Sequence, residues 1–176
     1  GANPLDAVHY MIAGALGDSE AIGYTLYYAT NFIFTGLAVA VAFHAGLFNI
    51  GGEGQAYLGG LGAGLAALAM EHAVPPFVAI PVGIGAAALF GAIWAAIPGY
   101  LQAYRGSHIV ITTIMFNFLA AALLVYLMVN VLIAPGSMSP ESREFASTAH
   151  LPFIHDILGA IGIKMPRTPL NVTVLW

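Results

Sequence analysis

Two short stretches hold the side chains best suited to chemistry in this 176-residue sequence: GLFNIGGEGQ, Gly46 to Gln55, and HIVITTIMFNFLAA, His108 to Ala121. The first offers Asn49, Glu53 and Gln55, and the second Thr112, Thr113 and Asn117. Thr113 and Asn117 are four apart and share one helix face, with Thr112 beside it. On a pore-facing helix they supply neutral donors and acceptors, which suits a polar, uncharged solute. On a packed helix the same groups bond neighbouring helices. Glu53 is the only acid bounded on both sides by long uncharged apolar runs. An ionisable group in a spanning region is by default functional, whereas at a helix start the helix dipole favours a carboxylate exposed to water. Asn49 is placed to cap the same helix. His44, one turn earlier, is able to titrate or to bond a carbonyl.

Other constellations lack an essential member. A phosphate-binding loop needs a Gly-rich turn ending in Lys and Ser or Thr, but Lys164, the single lysine, precedes Met165. Glu71-His72 lacks the second histidine of an HExxH helix. His150, His155 and Asp156 are close in sequence, but Pro152 breaks any helix that would align them as metal ligands. Ser137 and Ser139 lie in a Gly-Ser turn without the strand-turn-helix setting or the placed base of a serine nucleophile.

The elements that position these residues follow from composition. The chain is 60% hydrophobic and 7% charged, where a soluble domain carries about a quarter charged residues. Stretches without Asp, Glu, Lys or Arg run over 21–52, 54–70, 72–104 and 106–140, and a span needs roughly 20 residues. The fold class is therefore all-α, a polytopic membrane helix bundle with about four spanning helices in a single domain over 1–176. A net charge of −4 with four basic residues gives no basic patch for nucleic acid. The absence of cysteine excludes disulfides and thiolate metal sites.

In order along the chain, Leu5, Val8, Met11, Ile12, Ala15 and Leu16 recur at helical spacing before Gly17, predicting a short amphipathic helix at a membrane surface. The first span runs from Ile22 to about Ala45, with Gly36 and Ala40 allowing close helix contact. Gly46 to Gln55 is read as a discontinuous segment. The second span then covers about 55–70, only about 24 Å at 1.5 Å per residue, with Gly60 and Gly64 forming a GxxxG that serves packing. The third span, Phe77 to Ile97, is stopped by Pro98-Gly99, and the fourth runs from His108 to about Ile133. A loop over 134–169, with five prolines, is too polar to span.

Charge counting leaves orientation open, because Arg105 stands alone on one side against Arg143, Lys164 and Arg167 in the long loop. The first residue is Gly1, with no signal-peptide pattern after it, and the last residues, Val172 to Trp176, read as the opening of another apolar segment. The expectation is a fragment of a longer protein.

FTGLAVAVAFHAGLFNIGGEGQ, Phe34 to Gln55, resembles the signature region of permease subunits of nucleoside and simple-sugar-type ABC importers, which work with basic-membrane-protein-type binding lipoproteins. HIVITTIMFNFLAA resembles that family's later signature, and Ala2-Asn3-Pro4-Leu5 the segment after its first helix. The sequence departs at His44, where family members often carry arginine, so no fixed positive charge stands there.

The resemblance implies a translocation pathway for a nucleoside or related small polar solute, with Asn49, Glu53 and Gln55 at its inner end and Thr112, Thr113 and Asn117 lining it. It implies no catalysis and no cofactor in this chain, ATP and Mg acting on separate ATP-binding subunits. It further implies a second permease subunit, an extracytoplasmic substrate-binding lipoprotein, surrounding membrane lipid and a multi-pass place in the bacterial cytoplasmic (inner) membrane. The first helix and the C-terminal half, with the ATPase-docking segment, would lie outside these residues. By the same resemblance, 1–21 and 134–169 face outside while the break and Arg105 face the cytoplasm. Alternatives are a permease for ribose-like sugars or branched-chain amino acids and, in a different class, a passive channel. An intramembrane enzyme is disfavoured, since no acid, base and nucleophile come together.

Overall fold

The computed structural model describes residues 3–70 and 74–175, the last by its backbone. Helices α1 (Pro4–Leu16), α2 (Ser19–His44), α3 (Gly52–Met70), α4 (Pro76–Arg105), α5 (Ile109–Asn130) and α6 (Ile154–Ala160) are joined by irregular segments with 3₁₀ turns at Ser147–Ala149 and Val172–Leu175. The chain divides into two compact units, one made of residues 1–37 with 151–176 and one of residues 38–150.

In the first unit, Asn3 caps α1 by accepting from the Leu5 N–H (3.1 Å), and Pro4 follows at the first helical position, where its missing N–H costs nothing. Asp18 starts α2 by accepting from the Ala21 N–H (2.7 Å). The hydroxyls of Thr30 and Thr35 on α2 donate to carbonyls one turn back, Leu26 and Asn31, which satisfies polar groups within the helix itself. The 151–176 segment folds against the N-terminal part of α2. The Ile154 N–H bonds the Leu170 carbonyl and the Val172 N–H the Pro152 carbonyl, while buried Thr168 sits where any side chain at Gly23 would have to go.

In the second unit, α2 ends at a glycine with left-handed φ (+76°), Gly46. The Leu47 N–H reaches back to the Ala42 carbonyl (2.9 Å) and the Gly46 N–H to that of Phe43 (3.0 Å), the paired bonds of a glycine-terminated helix. Alanine at Gly46 must adopt a conformation that L side chains disfavour, so Gly46→Ala should cost about 1 kcal/mol. A lowered midpoint of thermal unfolding in detergent checks this.

Helix α3 packs chiefly on α4 and next on α5. It runs antiparallel to α4, with Gln55 opposite Gly91 and Gly62 opposite Ala86, and parallel to α5. The core is Leu58, Leu61 and Ala120, flanked by Tyr57, Trp94 and Leu124 among others.

Three expected boundaries move. Helix α3 begins at Gly52 and takes Glu53 and Gln55 into its first turn, so the irregular stretch ends at Gly51 and does not reach residue 55. The helix is 19 residues long, close to the roughly 30 Å of a hydrocarbon core at 1.5 Å per residue. Helix α4 does not stop at Pro98-Gly99. It continues through buried Pro98 to Arg105 and ends at left-handed Gly106. A proline removes one backbone bond, but in an apolar setting the remaining carbonyls have no water to turn to, so the helix persists. Among the described residues, three helices are long and apolar enough to cross a membrane, α2, α4 and α5. The expected count of about four falls short at α3, whose six glycines lower its hydropathy. Glu71 and His72 of the expected turn lie outside the described residues.

Candidate functional site

A chain that leaves one helix at Gly46 and enters the next at Gly52 exposes backbone N–H and C=O groups that hydrocarbon cannot satisfy. Four of these groups are met by side chains. The Asn49 Oδ1 accepts from the Gly51 N–H (2.7 Å). The Thr113 hydroxyl accepts from the Ile50 N–H (3.3 Å) and donates to the Val110 carbonyl on its own helix (3.1 Å). Asn117 closes the arrangement from both ends of its amide. Its Nδ2 donates to the Ile50 carbonyl (2.9 Å) and its Oδ1 accepts from the Gly54 N–H (2.9 Å).

Asn117 therefore performs the N-capping of α3 from a different helix. A helix leaves its first N–H groups without partners, and the usual remedy is a side chain just upstream. Here Asn49 bonds Gly51, ahead of the helix, and the third N–H within the helix is taken by α5. Such contact requires close approach. A Cβ built on Gly54 would lie 3.0 Å from Asn117 Oδ1 and 3.1 Å from the Phe116 carbonyl oxygen. One built on Gly51 would lie 3.2 Å from both Gln55 Nε2 and Thr113 Cβ. Both glycines are buried.

The six residues singled out from the sequence thus separate. Asn49, Gln55, Thr113 and Asn117 converge around Gly51 and Gly54, with Thr113 only 1% exposed. Glu53 turns away, exposed, and accepts from the Tyr57 hydroxyl one turn on (2.9 Å). Thr112 lies apart from the knot, bonding the Ser107 hydroxyl (3.3 Å) and the His108 carbonyl (3.0 Å) at the start of α5. His44 is exposed, its Nδ1 2.8 Å from the Ala40 carbonyl, a bond it makes as donor. Arg105 is exposed in the last turn of α4, where a cation complements the helix dipole.

The packing glycines are redistributed too. Gly59 and Gly62 face α4, where a Cβ would meet the Ala87 carbonyl oxygen at 3.3 Å and the Ala86 carbonyl oxygen at 2.7 Å. Gly36 and Gly60 have nothing of this chain within 4 Å of a built Cβ, and Gly64 has only the ring of Phe145. Gly60 and Gly64 instead line an apolar cavity of about 560 Å³ together with Tyr57, Leu124, Met128 and Phe145. The pattern GGLGAG holds several small pairs, and only the register of α3 against α4 selects among them. Gly51, Gly54 and Tyr57 had no part in the sequence-based assignment. The available signals were spacing, since Tyr57 follows Glu53 by one turn and Gly54 follows Gly51 by three.

Among the described residues, no group of three or more His, Asp or Glu side chains is placed to hold a metal. His155 stacks on Phe153, with its Nε2 3.4 Å from Asp156.

Apolar helices of spanning length, and a helix break whose backbone is satisfied by a neighbouring spanning helix, define a multi-pass membrane protein of the helical-bundle class. The chain belongs to the family described as branched-chain amino acid transport system / permease component, which it matches over residues 21–161. It is 38% identical over 144 residues to the guanosine ABC transporter permease protein NupP of Bacillus subtilis, covering 82% of this chain and 40% of that protein. It is 34% identical over 150 residues to the glucose ABC transporter permease protein TsgB13 of Haloferax volcanii, covering 85% and 39%. To the nucleoside ABC transporter permease protein NupB of Lactococcus lactis subsp. cremoris it is 40% identical over 119 residues, covering 68% and 32%. The chain spans no more than 40% of the length of these relatives. No solved structure matches it.

Proposed function

We propose that the chain is part of a permease subunit of an ABC importer of the bacterial cytoplasmic membrane, forming the passage for a nucleoside or related small polar solute. The observation that carries this reading is the similarity to two nucleoside permeases across most of the chain, joined to a polar helix break inside apolar spans. ATP is hydrolysed on separate subunits with their Mg. A second permease subunit and an extracytoplasmic binding lipoprotein complete the assembly.

In this reading Glu53, Gln55 and Thr112 present polar groups to the solute at the inner end of the passage. Asn49, Thr113 and Asn117 border the same region and hold its backbone in place. The side-chain bonds of the last three favour a supporting role over direct contact.

The test is uptake of labelled guanosine by the complete permease reconstituted with its ATP-binding subunits and binding protein. ATP-dependent uptake competed by other nucleosides is the expected result. Uptake competed by glucose alone would replace the solute class with a sugar, a second reading favoured by the similarity to TsgB13. Flux without nucleotide would make the protein a channel. Glu53→Ala is expected to raise the KM for solute about tenfold, the loss of one hydrogen bond to a charged group worth about 1.5 kcal/mol. An unchanged KM removes Glu53 from the passage.

A further inference from the structure

None of the residues of α1 is buried, although six of its thirteen are large and apolar or part of an apolar stripe. Leu5, Val8, Met11, Ile12 and Leu16 are between 51% and 74% exposed. At 3.6 residues per turn they fall with Ala15 on one arc of roughly 140°, Asp6 and Tyr10 occupy the opposite side, and His9 stands at the edge of the arc beside Leu16. This is the arrangement of a helix that lies in a membrane interface, not of one that crosses it.

Two observations identify what covers the apolar arc. The first is connectivity. Only Gly17 and Asp18 separate α1 from the candidate spanning helix α2, so the end of α1 lies within about 11 Å of the start of α2, three Cα–Cα steps. The attachment is closer than the tether demands, because the Thr25 hydroxyl on α2 donates to the Ala15 carbonyl of α1 (2.8 Å). Thr25 is six residues into α2, about 9 Å along its axis, which places the last turn of α1 beside the flank of a spanning helix. The second observation is charge. Residues 1–21 contain Asp6 on the polar side of α1, Asp18 and Glu20 directly after the helix, and no Lys or Arg, so the segment complements headgroups that carry an ammonium and is repelled by a net negative surface.

We infer that α1 is an interfacial helix seated with Leu5, Val8, Met11, Ile12 and Leu16 at the acyl boundary of a zwitterionic leaflet, and that anionic lipid opposes this seating. The inference rests on the membrane-spanning class of the chain and is independent of which solute is carried.

The absence of cysteine from the chain makes site-directed labelling direct. Nitroxides at Leu5→Cys, Met11→Cys and Ile12→Cys, and at Asp6→Cys and Tyr10→Cys, are read in the complete permease reconstituted in phosphatidylcholine–phosphatidylethanolamine vesicles. All five positions are exposed, so labelling leaves packing undisturbed. The three apolar-arc labels should relax several-fold more with oxygen than with a water-soluble nickel chelate, and the other two the reverse. Replacing half of the lipid with phosphatidylglycerol should lower that oxygen preference at low salt, and it should return near 1 M salt, where the Debye length is about 3 Å. Nickel accessibility on both sides of the helix overturns the inference in favour of a solvated helix. Shielding of the apolar arc from both reagents overturns it in favour of a protein neighbour. A deeper seating in phosphatidylglycerol overturns the charge argument.

Discussion

Asn117→Leu should lower stability by about 1–3 kcal/mol, because it strands two backbone groups, one of them an N–H on a buried residue. The groups are the Gly54 N–H and the Ile50 carbonyl, each held by the Asn117 amide at 2.9 Å. Leucine keeps the branched skeleton but is larger, so a second variant close to asparagine in volume is needed to separate the hydrogen bonds from the packing. Gly54 is buried, so its N–H has no water to turn to, whereas Ile50 is 41% exposed. The midpoint of thermal unfolding of the purified permease in detergent, followed by intrinsic fluorescence, should fall by roughly 2–12 °C for a change of that size. Asn117→Asp gives a second reading. It keeps an acceptor for Gly54 but sets a second oxygen against the Ile50 carbonyl, so it should not restore stability. Wild-type stability in the aspartate variant would show that the bond from Nδ2 to the Ile50 carbonyl contributes nothing to holding the break.

Gly62→Ala should be the most damaging glycine substitution on α3. A Cβ there would lie 2.7 Å from the Ala86 carbonyl oxygen and 2.7 Å from Phe90 Cγ, and a helix carbonyl cannot rotate out of the way. Overpacking of this kind costs about 1–3 kcal/mol, more for valine than for alanine. The paired control is Gly60→Ala, two residues away on the same helix, where nothing of this chain lies within 4 Å of the new Cβ. In the 176-residue chain that change should be neutral or stabilising by up to about 1 kcal/mol, since alanine favours helix over glycine. Opposite signs for two neighbouring glycines, read as shifts in the unfolding midpoint, are the expected result. Equal effects would mean that α3 is rotated relative to α4 from the packing described here.

Both results bear on how α3 is held at its start. Gly51 and Gly54 let α5 approach, Asn117 caps α3 across the gap, and Gly59 and Gly62 let α4 approach the helix farther along. Movement of α5 would therefore carry the backbone of the break with it.

Much of this was legible in the sequence. Charge-free runs between Glu20 and Glu141 are as long as spanning helices and longer than barrel strands, and a helix in lipid satisfies its own backbone. Gly46 and the glycines after it required a break, and the Thr113–Asn117 spacing placed both side chains on one face of a helix. Helix ends were less legible. Pro98-Gly99 reads locally as a stop, but the environment that makes a broken helix costly is supplied by the fold.

Which polar groups meet which partners was settled only by the tertiary structure. Asn49 and Asn117 are both competent caps, and local spacing favours Asn49. The contact across 63 residues between Gly54 and Asn117 depends on the depth at which α5 lies along α3, which no local pattern encodes. The same holds for GGLGAG. Composition guaranteed that some pair of small residues would face a neighbour, and the rotation of α3 about its axis chose Gly59 and Gly62. Sequence fixes which residues can satisfy a backbone or admit a helix because those are properties of single side chains. Pairing them is a property of distances, and distances between segments far apart in the chain exist only once the helices have packed.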